Sequence, residues 1–395
     1  MKLRFLTAGE SHGPALTAIL DGMPARLELD GAVIDRELAR RQQGVGAGRR
    51  MKLEQDRVVI LGGVLAGMTT GAPLAMLIRN NDHEKWRGKA IPAFTAPRPG
   101  HADLTGAVKY GYNDLRPALE RASARETAAR VAVGAVCKHM LAQFGIRVGG
   151  YISEIGEVAV DLEQMPLEER IELARQSPVG CPDSERGQAM QEHIQQAMQA
   201  RDTLGGVIEV VALGLPPGLG SYVQWDQRLE ARLGAALLSV QAIKGVEIGR
   251  AFENARRLGT QAHDAIRIQG DALVRSSNRA GGVEGGITNG EPILVRAAMK
   301  PIATTLSPQL TVDLASGEEA PTRYERSDFC PVPRAVPILE AMVSFVLADA
   351  LLEKLGGDSM DELQERFKQL RKLQLSQLLM EGGEHVFWPG DVELP

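Results

Sequence analysis

Gly62-Gly63-Val64-Leu65-Ala66-Gly67-Met68-Thr69-Thr70-Gly71-Ala72-Pro73-Leu74 recurs as Gly281-Gly282-Val283-Glu284-Gly285-Gly286-Ile287-Thr288-Asn289-Gly290-Glu291-Pro292-Ile293, with seven of thirteen positions identical and no gap. Upstream, Gly22-Met23-Pro24-Ala25-Arg26-Leu27 matches Gly214-Leu215-Pro216-Pro217-Gly218-Leu219 in the same order. A helix is expected after each: Asp35–Arg41 and Asp226–Leu238. A long helix at Ala124–Gln143, opened by a capping box of Ser123 and Glu126, has its counterpart at Val336–Leu355. Strands are expected at Leu3–Ala8, Ala15–Leu20, Arg57–Leu61 and Pro73–Ile78. The matches read as one pseudo-symmetric α+β unit over residues 1–395. Its two similar halves cover about 1–150 and about 203–355, with a charged C-terminal helix within 358–380, centred on Asp361–Leu379. Halves of this kind pack face to face, and ligands collect at such junctions. The Gln-rich region 160–202 reads as peripheral amphipathic helices with weak caps.

Composition narrows the function classes. Of 395 residues 43 are glycine, and aromatics make up only 4%; the usual glycine share is about 7%. The glycines are not periodic, which excludes collagen, and the apolar and charged fractions exclude wholesale disorder. Glycine surplus therefore marks places where backbone turns tightly or approaches a ligand. Net charge is −5, so this is no general polyanion binder. Cys137, Cys181 and Cys330 are widely spaced and form no CxxC pair, which favours a reducing compartment and no metal site. The first residues are too poor in apolar character for a signal peptide, and no stretch is expected to reach the roughly 18 apolar residues of a membrane span. The expectation is a cytoplasmic protein with no membrane or nucleic-acid partner.

Five segments combine glycine turns with charge. Gly9-Glu10-Ser11-His12-Gly13 follows a strand and offers His12 as a proton donor or acceptor, with Ser11 to contact a phosphate or carboxylate. A hydrolase elbow is not matched, because a second strand follows rather than a helix. Arg98-Pro99-Gly100-His101-Ala102-Asp103 supplies a second imidazole, His101, in a rigid turn. Arg121-Ala122-Ser123-Ala124-Arg125-Glu126 places arginine and serine at a helix start, an arrangement suited to phosphate. The run Arg36, Arg40, Arg41, Arg49, Arg50, Lys52 and Arg57 is offset by only four acids and suits a multiply anionic small molecule; no aromatics are interleaved to stack bases. Last come Ser239–Gly249, Asn278–Gly286, Met299–Thr305 and Glu325–Asp328, which could together wrap a phosphorylated cofactor. GxGxxG in a βαβ setting is absent, so a Rossmann site is not supported.

In this order the segments resemble the chorismate synthase family over nearly the whole chain, from Gly9 to Pro337. The most specific pieces are Arg98–Asp103, Arg121–Thr127, Lys244–Gly249 and Asn278–Gly282. The resemblance implies a β-α-β sandwich and a homotetramer. It also implies a lyase of the shikimate pathway that converts 5-enolpyruvylshikimate 3-phosphate to chorismate by 1,4-anti elimination of phosphate. Reduced FMN is required without net redox change, and NADPH is a candidate reductant for it. Carried over by motif, FMN contacts fall on Arg121, Ala122, Ser123, Gln241, Ala242, Gly285, Lys300, Pro301, Ile302, Ala303, Thr304 and Arg326. The family pattern makes His12 and His101 the catalytic imidazoles, one protonating the departing phosphate and the other keeping the reduced flavin in its working protonation state. Asp328 resembles the acid that works with flavin N5 in removing the C6 proton. Ser11, Arg41, Arg49 and Arg50 are the expected substrate contacts. One departure stands out: relatives carry an aromatic and an arginine where this chain has Val45 and Ala47, leaving Arg49 or Arg50 to compensate. No separate nicotinamide domain is recognisable, which favours a monofunctional enzyme.

Overall fold

The structure is a computed structural model describing residues 3–46, 55–325, 327–378 and 380–385. Strands β1 (Arg4–Ala8), β2 (Ala15–Asp21), β3 (Val58–Gly62) and β4 (Leu74–Arg79) form an antiparallel sheet in the order β1-β2-β4-β3. Strands β5 (Arg147–Ile155), β6 (Gly206–Leu213), β7 (Ile243–Ile248) and β8 (Ile293–Met299) form a second in the order β5-β6-β8-β7, extended beyond β5 by Val158–Ala159. Alternation dictates which face is buried. In β2 and β4, Leu16, Ala18, Leu20, Leu74, Met76 and Ile78 are buried, while Ile19 points outward.

Helices cover those buried faces. Helix α1 (Gly31–Gln42) packs on β3, and α2 (Thr127–Ala142) on β2 and β4; α3 (Leu229–Leu238) packs on β7, and α4 (Val332–Leu355) on β5 and β6. Helices α2 and α4 pack on each other along their length. Their sequences are apolar nearly all round, as a helix enclosed on every side requires, and both are almost entirely buried. By length and composition α4 could cross a membrane, contrary to expectation from sequence, but its most apolar 18 residues are wholly buried inside the protein. It is a core helix.

The internal sequence match is repeated in hydrogen bonds. The Thr69 hydroxyl donates to the Pro24 carbonyl and accepts from Leu27 N–H; the Thr288 hydroxyl donates to Pro216 and accepts from Leu219 N–H. Two-residue turns follow the same pattern: Ala66-Gly67 have φ of 49° and 79°, and Gly285-Gly286 have 59° and 92°. A Cβ on Gly63 would lie 2.6 Å from the Pro73 carbonyl, and one on Gly282 would lie 2.5 Å from that of Pro292. Only glycine fits at either place.

Several boundaries differ from the expectations. Helix α1 begins at Gly31 because Asp30 caps it. Ser123 caps a short 3₁₀ turn, Ala124–Glu126, that leads into α2. The Glu126 carboxylate does not complete a capping box; it accepts from Thr7, Arg130 and Gln241 instead. In the region 160–202, helices Leu167–Gln176 and Ser184–Gln199 form as expected, but the second is well capped by Asp183. The C-terminal helix is shorter than expected, Met360–Lys368. Beyond it the chain runs against the hairpin of Ile266–Gln269 and Ala272–Arg275, with Leu273 N–H bonded to the Leu373 carbonyl and Leu375 N–H to that of Asp271. Those backbone bonds compete with continued helix.

Candidate active site

Most of the expected site residues meet around the N-terminal end of α2. His12 lies in the turn between β1 and β2. Its Nδ1 is 2.7 Å from Glu120 Oε1, and its backbone N–H donates to Glu120 Oε2 at 2.7 Å. His83 Nδ1 lies 2.9 Å from the His12 carbonyl, and the Trp86 ring centroid is 4.4 Å from that of His12. Burial opposes ionisation of Glu120, but hydrogen bonding and charge attraction from His12, with Arg116 nearby, together hold its pKa below the ordinary value. Ser11, buried beside it, accepts a hydrogen bond from Ser123 Oγ at 3.1 Å.

His101 has an equivalent partner. Its Nδ1 is 2.6 Å from Asp103 Oδ1, and Asp103 is fully buried. Asp103 also accepts from Arg98 through Nε, Nη2 and the backbone N–H. Burial alone would raise its pKa; Arg98 and His101 push it far down instead, so the carboxylate is charged at neutral pH. An ionised carboxylate only accepts hydrogen bonds, so His12 donates to Glu120 through Nδ1. His101 Nδ1 lies between the Asp103 carboxylate and Arg98 Nη2, the latter 3.0 Å away.

The expected cofactor segments link the two histidines. Arg121, at the end of helix Arg116–Ala122, donates to the Thr7 and Gly9 carbonyls; Ala122 precedes the Ser123 cap. Gln241 donates to Glu126, and the Ala242 carbonyl accepts from Lys300 N–H. Lys300 Nζ donates to the Gly100 carbonyl, next to His101, and Ala303 lies beside Gly100. Pro301 packs against Gly205, the Ile302 carbonyl accepts from Thr203, and the Thr304 hydroxyl accepts from Arg98. Asp328 pairs with Arg334, whose Nε donates to the Arg41 carbonyl. A cleft of about 350 Å³ is lined by Phe5, Leu6, Thr7, Arg121, Glu126, Arg130 and Gln241. Gly285 stands apart: it sits at a hairpin turn, and no hydrogen bond among the described residues joins it to Arg121, Gln241 or Lys300. Arg49, Arg50, Arg326 and Ala47 lie outside the described residues.

Two members of the basic run, Arg40 and Arg41, are not open cations. Arg40 is held by Glu340 and Glu37. Arg41 is buried and donates to Thr127 Oγ1 and the Ala124 carbonyl, anchoring the start of α2. Burial, with Arg334 and Arg125 nearby, pushes its pKa down to about 9; it stays charged at neutral pH. Arg125 is buried against Asp56 and Asn80. A larger cavity, about 470 Å³, lies elsewhere, lined by Asn254, His263, Asp264, Ala280 and Glu284 among others. Neither cavity is lined by the histidine pairs themselves. The smaller cleft is the one bordered by Arg121 and Gln241, whose segments bond to the His12 turn and, through Ala242 and Lys300, to the His101 turn.

Sequence reasoning missed Glu120, Trp86 and His83. Asp103 carried a signal, two residues from His101. Glu120 is 108 residues from His12, and nothing local marks the pairing.

Two imidazoles held by carboxylates, one fully buried and one partly buried, beside arginines and glycine turns, form a class of site suited to acid–base chemistry on an anionic small molecule. The chain belongs to the chorismate synthase family: the family model "Chorismate synthase" matches residues 3–352. It is 53% identical over 376 residues to the chorismate synthase of Syntrophotalea carbinolica, covering 93% of this chain and 97% of that protein. With the chorismate synthase of Aquifex aeolicus it shares 51% over 384 residues, 93% and 96% of the two chains. A solved structure, "Crystal Structure of Chorismate Synthase", aligns with a TM-score of 0.77 at 46% identity, over 93% of this chain and 97% of the other. That neighbour shares the mixed helix and strand content.

Proposed function

We propose that the chain converts 5-enolpyruvylshikimate 3-phosphate to chorismate and phosphate by 1,4-anti elimination, as a lyase of the shikimate pathway. The observation that carries this reading is the pair of carboxylate-held imidazoles joined through the motif segments of the family. Reduced FMN is the proposed cofactor. The residues present fit such a group: the cleft carries Arg121, and Gln241 Oε1 is a buried oxygen with no hydrogen-bond partner among the described residues. Arg121, Ala122, Ser123, Gln241, Ala242, Lys300–Thr304 and, by motif, Gly285 and Arg326 would hold it. When bound, reduced flavin supplies electron density to the electron-deficient allylic system that develops as phosphate leaves. The chain's own residues move the protons: one of His12 and His101 delivers a proton to the phosphate oxygen, the other maintains the flavin's protonation state, and Asp328 assists removal of the C6 proton. Ser11, with Arg49 and Arg50 by motif, is assigned to substrate anions; Arg41, buried and bonded to Thr127 and the Ala124 carbonyl, is assigned to holding the start of α2 instead. The reaction is tested by turnover without oxygen, with chemically reduced FMN and that substrate. We assign the chain to the monofunctional type, fed with flavin that the cell reduces; NADPH oxidation with FMN and no added reductase would overturn that.

One domain built as a β-α-β sandwich of two similar halves is supported by the repeated threonine bonds and by the matching strand orders 1-2-4-3 and 5-6-8-7. Because β5 (Arg147–Ile155) belongs to the second sheet, the division between the halves falls near 147 rather than leaving the second to begin at about 203. A cytoplasmic homotetramer is the proposed assembly. Leu6, Ile19, Val59 and Leu61 lie on the outward side of the first sheet, and Leu6 and Leu61 are 59% and 62% exposed. Leu6 is paired with Ile19 and Val59 with Leu77 in register, so apolar side chains recur across the sheet on this side, and such surfaces mark association sites. Leu6→Glu with Leu61→Glu is expected to lower the mass in sedimentation equilibrium to a smaller oligomer. An unchanged mass would remove this face from the assembly.

A further inference from the structure

We propose that Glu120 is a positioning residue that confines the acid–base chemistry of His12 to Nε2. The inference rests on the reading of His12 as a catalytic imidazole and adds a residue that no motif marked.

One carboxylate holds both the main chain and the ring of His12. Oε2 accepts the His12 backbone N–H at 2.7 Å while Oε1 meets Nδ1 at 2.7 Å. The Glu120 carbonyl also accepts from Ser11 N–H, so Glu120 grips the turn at three points. Trp86 packs on the ring, and His83 on the carbonyl. Glu120 and His12 side chains are 13% and 17% exposed, which restricts exchange of these bonds with water.

A neutral imidazole has one N–H and one lone pair. With Nδ1 donating to Glu120, the lone pair is on Nε2. In the imidazolium, the Nε2 proton is the one that can leave without breaking the bond to Glu120. Transfer of that proton to a phosphate oxygen leaves a neutral ring whose Nδ1–H bond is unchanged. Ring orientation and proton inventory are thus set by the same carboxylate, the logic by which a hydrogen-bonded acid orients a catalytic histidine.

Glu120→Gln tests this with almost no change of shape. The His12 backbone N–H still needs an acceptor, and the amide oxygen takes that place. The amide NH₂ then faces Nδ1, which must accept. The neutral ring is forced into the Nε2–H form, and Nε2 becomes a donor. The experiment is a long-range ¹H–¹⁵N correlation spectrum of ¹⁵N-histidine-labelled protein, with both rings neutral and His12 assigned by its loss in His12→Ala. The expected result is Nδ1–H in the parent and Nε2–H in the variant, with turnover lowered by about 10²–10⁴-fold and an unaltered melting temperature. The same tautomer in both proteins, or full turnover with the tautomer inverted, would overturn the proposal. Glu120→Ala provides a second check: turnover must fall there as well, because nothing then holds Nδ1. Inversion in a protein that shows no chorismate formation even in its parent form would support the positioning role and overturn the reaction assigned above.

Discussion

His101→Ala is expected to lower turnover by about 10²–10⁴-fold, the usual contribution of a positioned general acid or base, with flavin binding retained. The reason for expecting a loss of chemistry rather than of structure lies in what remains. Asp103 keeps three donors from Arg98, two from the guanidinium and one from the backbone. The turn is also held by Lys300 on the Gly100 carbonyl. Removing the ring therefore leaves no uncompensated buried charge, the condition under which deletion of one partner becomes costly to the fold. The measurement is kcat with reduced FMN beside an FMN titration by fluorescence. Unchanged kcat would remove His101 from the mechanism; lost FMN binding would make its role structural.

Gly134→Ala is expected to destabilise the protein by about 3 kcal/mol or more, at the upper end of what overpacking costs. Helix propensity favours the change by about 1 kcal/mol, so the sign itself is informative. Gly134 lies in α2 where it crosses α4. A Cβ there would sit 2.1 Å from the Ala341 Cβ and 2.3 Å from its Cα. Both neighbours belong to a fixed helix at the centre of the core, so the helices must separate, and every contact along the α2–α4 seam loosens with them. Gly234, in α3, has nothing within 4 Å of the place a methyl group would take. Gly234→Ala should therefore stabilise by roughly 0.5–1 kcal/mol. Urea midpoints of the two variants test the pair, and similar midpoints would contradict this packing.

Much of the fold was legible in the amino-acid order because turns repeat their chemistry locally. The Gly62–Leu74 and Gly281–Ile293 stretches have the same hairpins and the same threonine bonds. The strands alternate, and α2 and α4 are apolar runs of helical length. Legibility failed where partners are distant in sequence. Charged periodicity at Asp361–Leu379 suggested one helix, but pairing with the 266–275 hairpin ends it early. Arg40 and Arg41 looked like open cations. Instead Glu340, 300 residues away, takes Arg40, and Arg41 caps the approach to α2. In the site, both histidines were visible from their glycine turns, and Asp103 was close enough to notice. Glu120 was invisible because a carboxylate's reach across 108 residues leaves no local pattern.

The central claim is the reaction. Purified protein, dithionite-reduced FMN and 5-enolpyruvylshikimate 3-phosphate, mixed without oxygen, should give chorismate and phosphate in equal amounts with the flavin still reduced at the end. Oxidised FMN alone should give none. Absence of both products with reduced FMN, or a product formed only with stoichiometric flavin oxidation, would contradict the account.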